Sequence, residues 1–553
     1  MNPKSTGFRG LLTDVVTALC VLLLGVTASS AANGTALPPS VVDLMQAHGI
    51  PENSISVVMR KVGTNQNTIS HNATTPRNPA SAMKLVTTAA ALQLLGPQHR
   101  WRTHAFVRGK VHGNTLEGDL ILRGSGDPWL VIERFWLLAQ QLRGRGITHI
   151  QGDLVIDDTL FDRRTIEEKA IDGKSTRAYN TPPNALLVNF GATSLVVESD
   201  DDAVYVSADP PATTLQIHNT ITPSNAACGG KGRSIRLDLK RSTSVTKLSV
   251  GGHYPVGCAA STFRRTLLPH GQYVYGVFKA LWQQLGGTLA GGWHYGKTPA
   301  RAVVVAELES VPLAEVIRYI NKFSNNVMAR NLLLTLATDH PPSTPAKGGR
   351  VIENWLSQNG VAMPALHIDN GAGLSRKARI SALGLAELLE TATHWPWWPE
   401  FLGSLPIATV DGSLRKRFHN LAGPGRLRLK TGLLKDVRAL AGYAIDRNGD
   451  IWVVVILHNH PQASSSVGLK FSIDCSKPFF SSASPRSATA QTAKETLWPQ
   501  QQSPRGDPYA DDAPRRTIAH LWNSRPQALD LMSPVSSASH HFPVAPGSAA
   551  LLL

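Results

Sequence analysis

The stretch NPASAMKLVTTAAALQLLG, beginning at Asn78, constrains this chain more than any other. Leu85, Val86, Ala89, Leu92 and Leu95 follow the i, i+3, i+4, i+7 spacing of a helix facing a core. The positions between them are almost all small or apolar, and a helix apolar on most of its circumference has to be surrounded. The rest of the chain must therefore supply layers around it, and Gly96-Pro97 ends it. Within its first turn stands a lysine, Lys84, one turn after Ser81. A lysine at that edge either snorkels to water or is held there for its chemistry.

The chain has 553 residues, enough for two or three domains and a sizeable core. Hydrophobic content of 42% with 17% charged residues is that of a globular protein and excludes wholesale disorder. The formal charge of +16 points to an acidic partner. Lys and Arg are scattered, without a basic run or a recognition motif, so nucleic acid is not expected. A basic surface facing an anionic polymer, or giving peripheral membrane contact, fits better.

The first residues set the compartment. Lys4 and Arg9 precede the apolar VVTALCVLLLGV, and TASSAANG offers small residues for cleavage near Ala31 or Ala32. This is the layout of a secretory signal over residues 1–32 and predicts a periplasmic protein; an uncleaved anchor is the alternative. Of four cysteines, Cys20 lies in the signal and Cys475 near the end. Cys228 and Cys258 are suited to a disulfide in an oxidising compartment.

Along the chain, ISVVMRKVGTNQNTIS reads as a hairpin, and residues 33–98 form a first half-domain. Residues 99–269 consist of short β-like runs and turns, an inserted β-rich region. Helical periodicity returns in QYVYGVFKALWQQLGG and in SVPLAEVIRYINKFSNNVMARNLLLTLA. Two apolar strands around an Asn-Gly turn close a second half over residues 270–468. Residues 469–553 are rich in Ser, Pro, Gln and Ala without periodicity, and read as a disordered extension or the product of a shifted reading frame.

Three short motifs could carry chemistry. Ser81 and Lys84 form S-x-x-K, which on a helix sets an amine beside a hydroxyl. Partly buried, that amine loses basicity and can take the serine proton. Ser324-Asn325-Asn326 is an S-x-N between two helical segments, and Lys430-Thr431-Gly432 ends the alternating strand RLRLKTG. Each is weak alone: Ser244 to Lys247 also reads S-x-x-K, while Ser70 to Asn72 and Ser357 to Asn359 also read S-x-N. In this order, each on the expected kind of element, they match the active-site set of penicillin-binding proteins and serine β-lactamases. Acyl transfer needs these parts: a nucleophile with its base, a relay hydroxyl, and a cationic strand edge to hold a carboxylate.

The segments GDLILRGSGDPWL, YNTPPNALLVNF, DNGAGLSR, IATVDGSLRKR and LKTGLLKDVRALAGY extend the likeness from about Val41 to Val467. The chain resembles the D-alanyl-D-alanine carboxypeptidase/endopeptidase group, the class C low-molecular-mass penicillin-binding proteins. The resemblance implies an α/β (α+β) fold, an antiparallel sheet flanked by helices of the β-lactamase-like transpeptidase kind, carrying inserted β-rich domains. It also implies that peptidoglycan stem peptides and cross-bridges are substrates, that β-lactams are covalent inhibitors, and that no cofactor is needed.

By that resemblance Ser81 is the acylated nucleophile, Lys84 its general base, and Ser324 the proton relay to the departing D-alanine. Asn326 binds substrate backbone, Lys430, Thr431 and Gly432 form the strand edge at the terminal carboxylate, and backbone N–H groups of Ser81 and Leu433 make the oxyanion hole. Leu433 stands where the common pattern has Ser or Thr, so a side-chain hydroxyl contact to the carboxylate is lost. Asp157, Phe161 and Arg376 stand at places matching an acidic, an aromatic and a basic reader of the stem peptide's diamino acid; an inter-domain ion pair is the other reading. His458 and His460 share a strand face without a third ligand nearby, so no metal is expected. The glycine turns RGSGDP and CGGKGRS fit no phosphate loop. Rival functions are a β-lactamase or esterase on the same framework and a catalytically silent wall-binding protein.

Overall fold

Short, near-continuous apolar runs make the segments near residues 55 and 455 strands, and both of their faces are buried. Val453, Val455 and Leu457 join one hydrophobic cluster, while Val454 and Ile456 join another. A sheet with two apolar faces must be covered on both. The computed structural model describes residues 36–463, apart from 65–66, 168–169, 229–232, 419–424 and 447. The expected signal and tail lie outside the described residues.

The central sheet runs in the order Leu427–Leu434, Val437–Ile445, Ile451–Asn459, Ile55–Lys61, Asn67–His71, antiparallel throughout. The N-terminal hairpin thus completes a sheet begun at the far end of the chain. One face packs on the helix Met83–Leu95, where every residue from Met83 to Leu92 is buried, and on the helices Leu313–Phe323, Asn326–Thr335 and Ala382–Ala392. The other carries the helix Pro39–Ala47.

The insert is larger than the sequence pattern suggests. The strand Val303–Glu309 pairs antiparallel with Arg102–His112, and the helix His270–Gln284 buries Val274, Val277, Phe278 and Trp282 in the insert's own core. The expected junction at residues 269 and 270 is therefore displaced to about Ser310, because helical periodicity marks an apolar face without saying which core receives it. A second departure is the helix Ile132–Gly144 inside the expected β-rich region; its buried Phe135, Leu138, Ala139 and Leu142 carry the helical period. Around it lie a seven-stranded sheet and two three-stranded sheets. Cys228 and Cys258 are joined in a disulfide with Cα atoms 5.6 Å apart. Among the described residues no helix is long and apolar enough to cross a membrane.

Candidate active site

Asn78 gathers three distant segments at the start of the buried helix. Its backbone N–H donates to Asn459 Oδ1 at 2.8 Å, its side-chain amide donates to the Ser375 carbonyl at 2.7 Å, and its Oδ1 accepts from the Ala80 N–H at 2.9 Å. The chain then makes a 3₁₀ turn, Ala80–Ala82, before the helix proper. Ala80 holds φ +45°, in the left-handed region, a conformation costing a non-glycine residue ~1–3 kcal/mol. Ser81 follows, half-buried, at the mouth of the site.

Lys84 sits one turn on with no exposed surface. Its Nζ lies 2.9 Å from Ser81 Oγ, 2.7 Å from Asn326 Oδ1 and 2.6 Å from the Ala372 carbonyl. Burial, followed by the charge on Lys430, holds its pKa well below the usual lysine value. A neutral amine has two N–H donors and one lone pair. Asn326 and Ala372 offer only acceptors to it, so they take the two donors and leave the lone pair for the Ser81 hydroxyl. The geometry is that of a base already pointed at its nucleophile.

The second and third motifs arrive on a helix end and a strand. Ser324 terminates the helix Leu313–Phe323 at φ 56°, ψ 38°, again left-handed, and its Oγ accepts from Lys430 Nζ at 2.8 Å. Lys430, also fully buried, bonds the Thr431 carbonyl at 2.9 Å, and burial lowers its pKa to about 7. Thr431 Oγ1 meets Ser413 Oγ at 2.9 Å. A Cβ on Gly432 would lie 2.6 Å from the Pro79 carbonyl oxygen, so only glycine lets the strand approach the Ser81 turn this closely. Two amines, two serine hydroxyls and a strand edge therefore converge beside the start of the buried helix.

Comparison with known proteins bears on this constellation. Residues 39–472 match the model of the D-Ala-D-Ala carboxypeptidase 3 (S13) family. The chain belongs to that family. It is 27% identical over 486 residues to a D-alanyl-D-alanine carboxypeptidase of Actinomadura, covering 83% of this chain and 89% of the relative. It is 26% identical over 454 residues to the carboxypeptidase DacB of Haemophilus influenzae, covering 79% and 91%. The crystal structure of penicillin-binding protein 4 from Haemophilus influenzae shares the fold, with a TM-score of 0.67 at 22% identity, covering 80% of this chain and 98% of that one. The chain is thus a serine-type D-Ala-D-Ala carboxypeptidase with the α+β fold expected for it.

For this S13 enzyme, the remaining expected site residues divide. Arg376 reaches the rim, paired with Asp436 beside the end of the Leu427–Leu434 strand. Leu433 is 56% exposed there. Asp157 and Phe161 are a correction: both are 2% exposed and engaged within the insert and its junction. Burial pushes the Asp157 carboxyl up, but hydrogen bonds from Thr298 and Thr159 outweigh it and the net shift is downward. Those four bonds, 2.5–3.2 Å, occupy both oxygens and leave none for an incoming ammonium. Phe161 packs with Ile166, Ala185 and Leu334.

The repeated motifs separate as well. Ser244 and Lys247 lie exposed in the insert, Asn72 bonds the Glu52 and Ile55 carbonyls, and Asn359 bonds the Trp355 carbonyl. Sequence reasoning missed Ser413 as the partner of Thr431, although the triplet Asp411-Gly412-Ser413 lies in a segment that carried the family likeness. It also missed the Tyr179 carbonyl, which accepts from Asn326 Nδ2 at 3.0 Å, and the Ala372 carbonyl, whose role no side-chain pattern could mark.

Proposed function

We propose that this chain removes the terminal D-alanine of peptidoglycan stem peptides, and cuts D-alanyl cross-bridges, through an acyl-enzyme on Ser81. Ser81 Oγ attacks the carbonyl carbon of the penultimate D-alanine while its proton passes to the neutral Lys84 amine. Backbone N–H groups of Ser81 and Leu433 receive the negative charge developing on the carbonyl oxygen. Lys430, Thr431 and Ser413 hold the carboxylate of the departing residue. As the C–N bond breaks, the leaving nitrogen gains a proton by way of Ser324. Water, deprotonated by Lys84, then splits the ester and restores Ser81.

A cross-bridge presents the same acyl group and a leaving amine that also carries a carboxylate, so the same contacts serve both reactions. Arg376 and Asp436, a half-exposed pair of opposite charge at the rim, suit the zwitterionic end of the stem's diamino acid. The apolar, lysine- and arginine-led first residues, which have the layout of a secretory signal, support a periplasmic site of action. A β-lactam offers a reactive amide and a carboxylate at matching positions; the Haemophilus influenzae protein has been solved with such a compound.

The observation that carries this reading is the contact of Lys84 with Ser81 and Asn326 in a buried setting. Intact-mass analysis after penicillin treatment tests it. One stable adduct mapping to the peptide that holds Ser81, and lost in Ser81→Ala, supports the carboxypeptidase. Rapid turnover of penicillin selects the β-lactamase rival, and no adduct at all selects the silent wall-binding protein.

A further inference from the structure

An aromatic row runs away from Ser324. Phe323, the residue before it, is 61% exposed at the end of the helix Leu313–Phe323. Tyr319, one turn back and 38% exposed, has its ring centroid 4.9 Å from that of Phe323. On the other side Tyr319 meets Trp129 edge-on, with centroids 3.7 Å apart. Trp129 rises from the GSGDPW turn of the insert and is anchored by packing on the main core. Glu315 and Arg318 stand exposed on the same helix.

Isolated exposed aromatics need no explanation, but two adjacent exposed rings, backed by a half-buried Trp129 and standing beside a catalytic residue, do. Exposed rings inclined to one another by 52°, with an acid and a guanidinium exposed on the same helix, match a run of pyranoses, each of which lays its C–H face on one aromatic ring and turns its hydroxyls to charged groups. The substrate supplies such rings, because every stem peptide hangs from an amino-sugar chain. A stem of about four residues reaches at most ~14 Å when extended. The row begins at the residue next to Ser324, within that reach.

We propose that Tyr319 and Phe323, braced by Trp129, form a surface that stacks on the glycan strand of peptidoglycan, seating the polymer while one stem enters the active site. The proposal rests on the peptidoglycan reading above and goes beyond it by giving the sugar chain its own contact surface. That surface contributes on intact murein and contributes nothing on a short peptide lacking sugar.

The test compares the full chain with Tyr319→Ala, Phe323→Ala, their double variant and Phe323→Trp. Three readouts are needed: penicillin acylation, hydrolysis of a soluble acyl-D-Ala-D-Ala peptide, and pelleting with purified sacculi in a Ser81→Ala background. The double variant is expected to lose about tenfold in sacculus binding, from two aromatic contacts, and to keep the first two rates within about twofold. Phe323→Trp should retain binding, and a peptide-free β-1,4-linked N-acetylglucosamine oligosaccharide should compete for the wild-type surface. Equal losses on peptide and sacculi, unchanged pelleting, competition by stem peptide alone, or a changed oligomeric state in the double variant would each overturn the proposal. Failure of the underlying reading looks different: the wild type then takes no adduct and releases nothing from sacculi, while pelleting still reports on the aromatic row.

Discussion

Replacing Asn326 by aspartate puts a carboxylate where an amide oxygen now lies 2.7 Å from Lys84 Nζ. At that distance two unit charges attract by about 6 kcal/mol for an effective dielectric constant of ~20. Part of this is offset by burying the new carboxylate, and part by its repulsion from the Tyr179 carbonyl, which now accepts from the Asn326 amide. The shift that a nearby opposite charge imposes on an ionisable group is accordingly about 1–3 pH units. The direction is upward: the present setting keeps Lys84 well below its ordinary pKa, and Asn326→Asp stabilises the ammonium. Acylation requires the free amine, so the acidic limb of its pH profile should move up by about 1–3 units, with a ~10- to 1000-fold loss below the limb and recovery above it. The assay is the pH dependence of acylation by an aryl ester without a carboxylate, which removes demand on Lys430. Asn326→Ala, which removes the acceptor without adding charge, should not move the limb upward. A loss by the same factor at every pH would refute the reasoning, since it would mean that Asn326 shapes the pocket without setting the protonation of the base.

Three other outcomes follow from the same geometry. For substrates bearing a terminal carboxylate, kcat/KM should fall as pH rises through about 7, where Lys430 loses its charge in the free enzyme; a carboxylate-free ester should lack that limb. Gly432→Ala sets a methyl group 2.6 Å from the Pro79 oxygen and 2.9 Å from the Ala439 Cβ, so overpacking of ~1–3 kcal/mol should appear as slower penicillin acylation with only a modest fall in Tm. Asp411→Asn removes the charge opposite the buried Lys322 Nζ, 2.6 Å away and just before Ser324, leaving it the Leu405 carbonyl; about 3–5 kcal/mol for a fully buried pair is an upper bound on the loss in denaturant unfolding, because the Asp411 side chain is 30% exposed.

The elements nearest the catalytic groups were legible in the sequence because their signals are local. Ser81 and Lys84 lie one helical turn apart, and an apolar run with a Gly-Pro stop forms a buried helix in almost any context. The unbroken apolar run in IWVVVILHN, too short for a buried helix, likewise suits a strand covered on both faces. The S-x-N and K-T-G segments could be named by their order along the chain. The insert's boundary was not legible: the helix His270–Gln284 has the period of any amphipathic helix, and its choice of core depends on surfaces far away in sequence. Asp157 failed for a similar reason, since Thr298, which takes up its carboxylate, is 141 residues distant.

What the amino-acid sequence determined by itself was the set of reactive groups and the short-range geometry of one pair, because a helical turn fixes the spacing of Ser81 and Lys84. Tertiary structure decided everything that makes them reactive. Lys84 becomes a base only when residues 242 and 288 positions away enclose it and take up its donors. Ser324 and Lys430 meet only because a strand from the end of the chain lies beside the Ser81 turn. Basicity and charge in a buried site are set by what water has been replaced with, and that replacement exists only once the layers have closed.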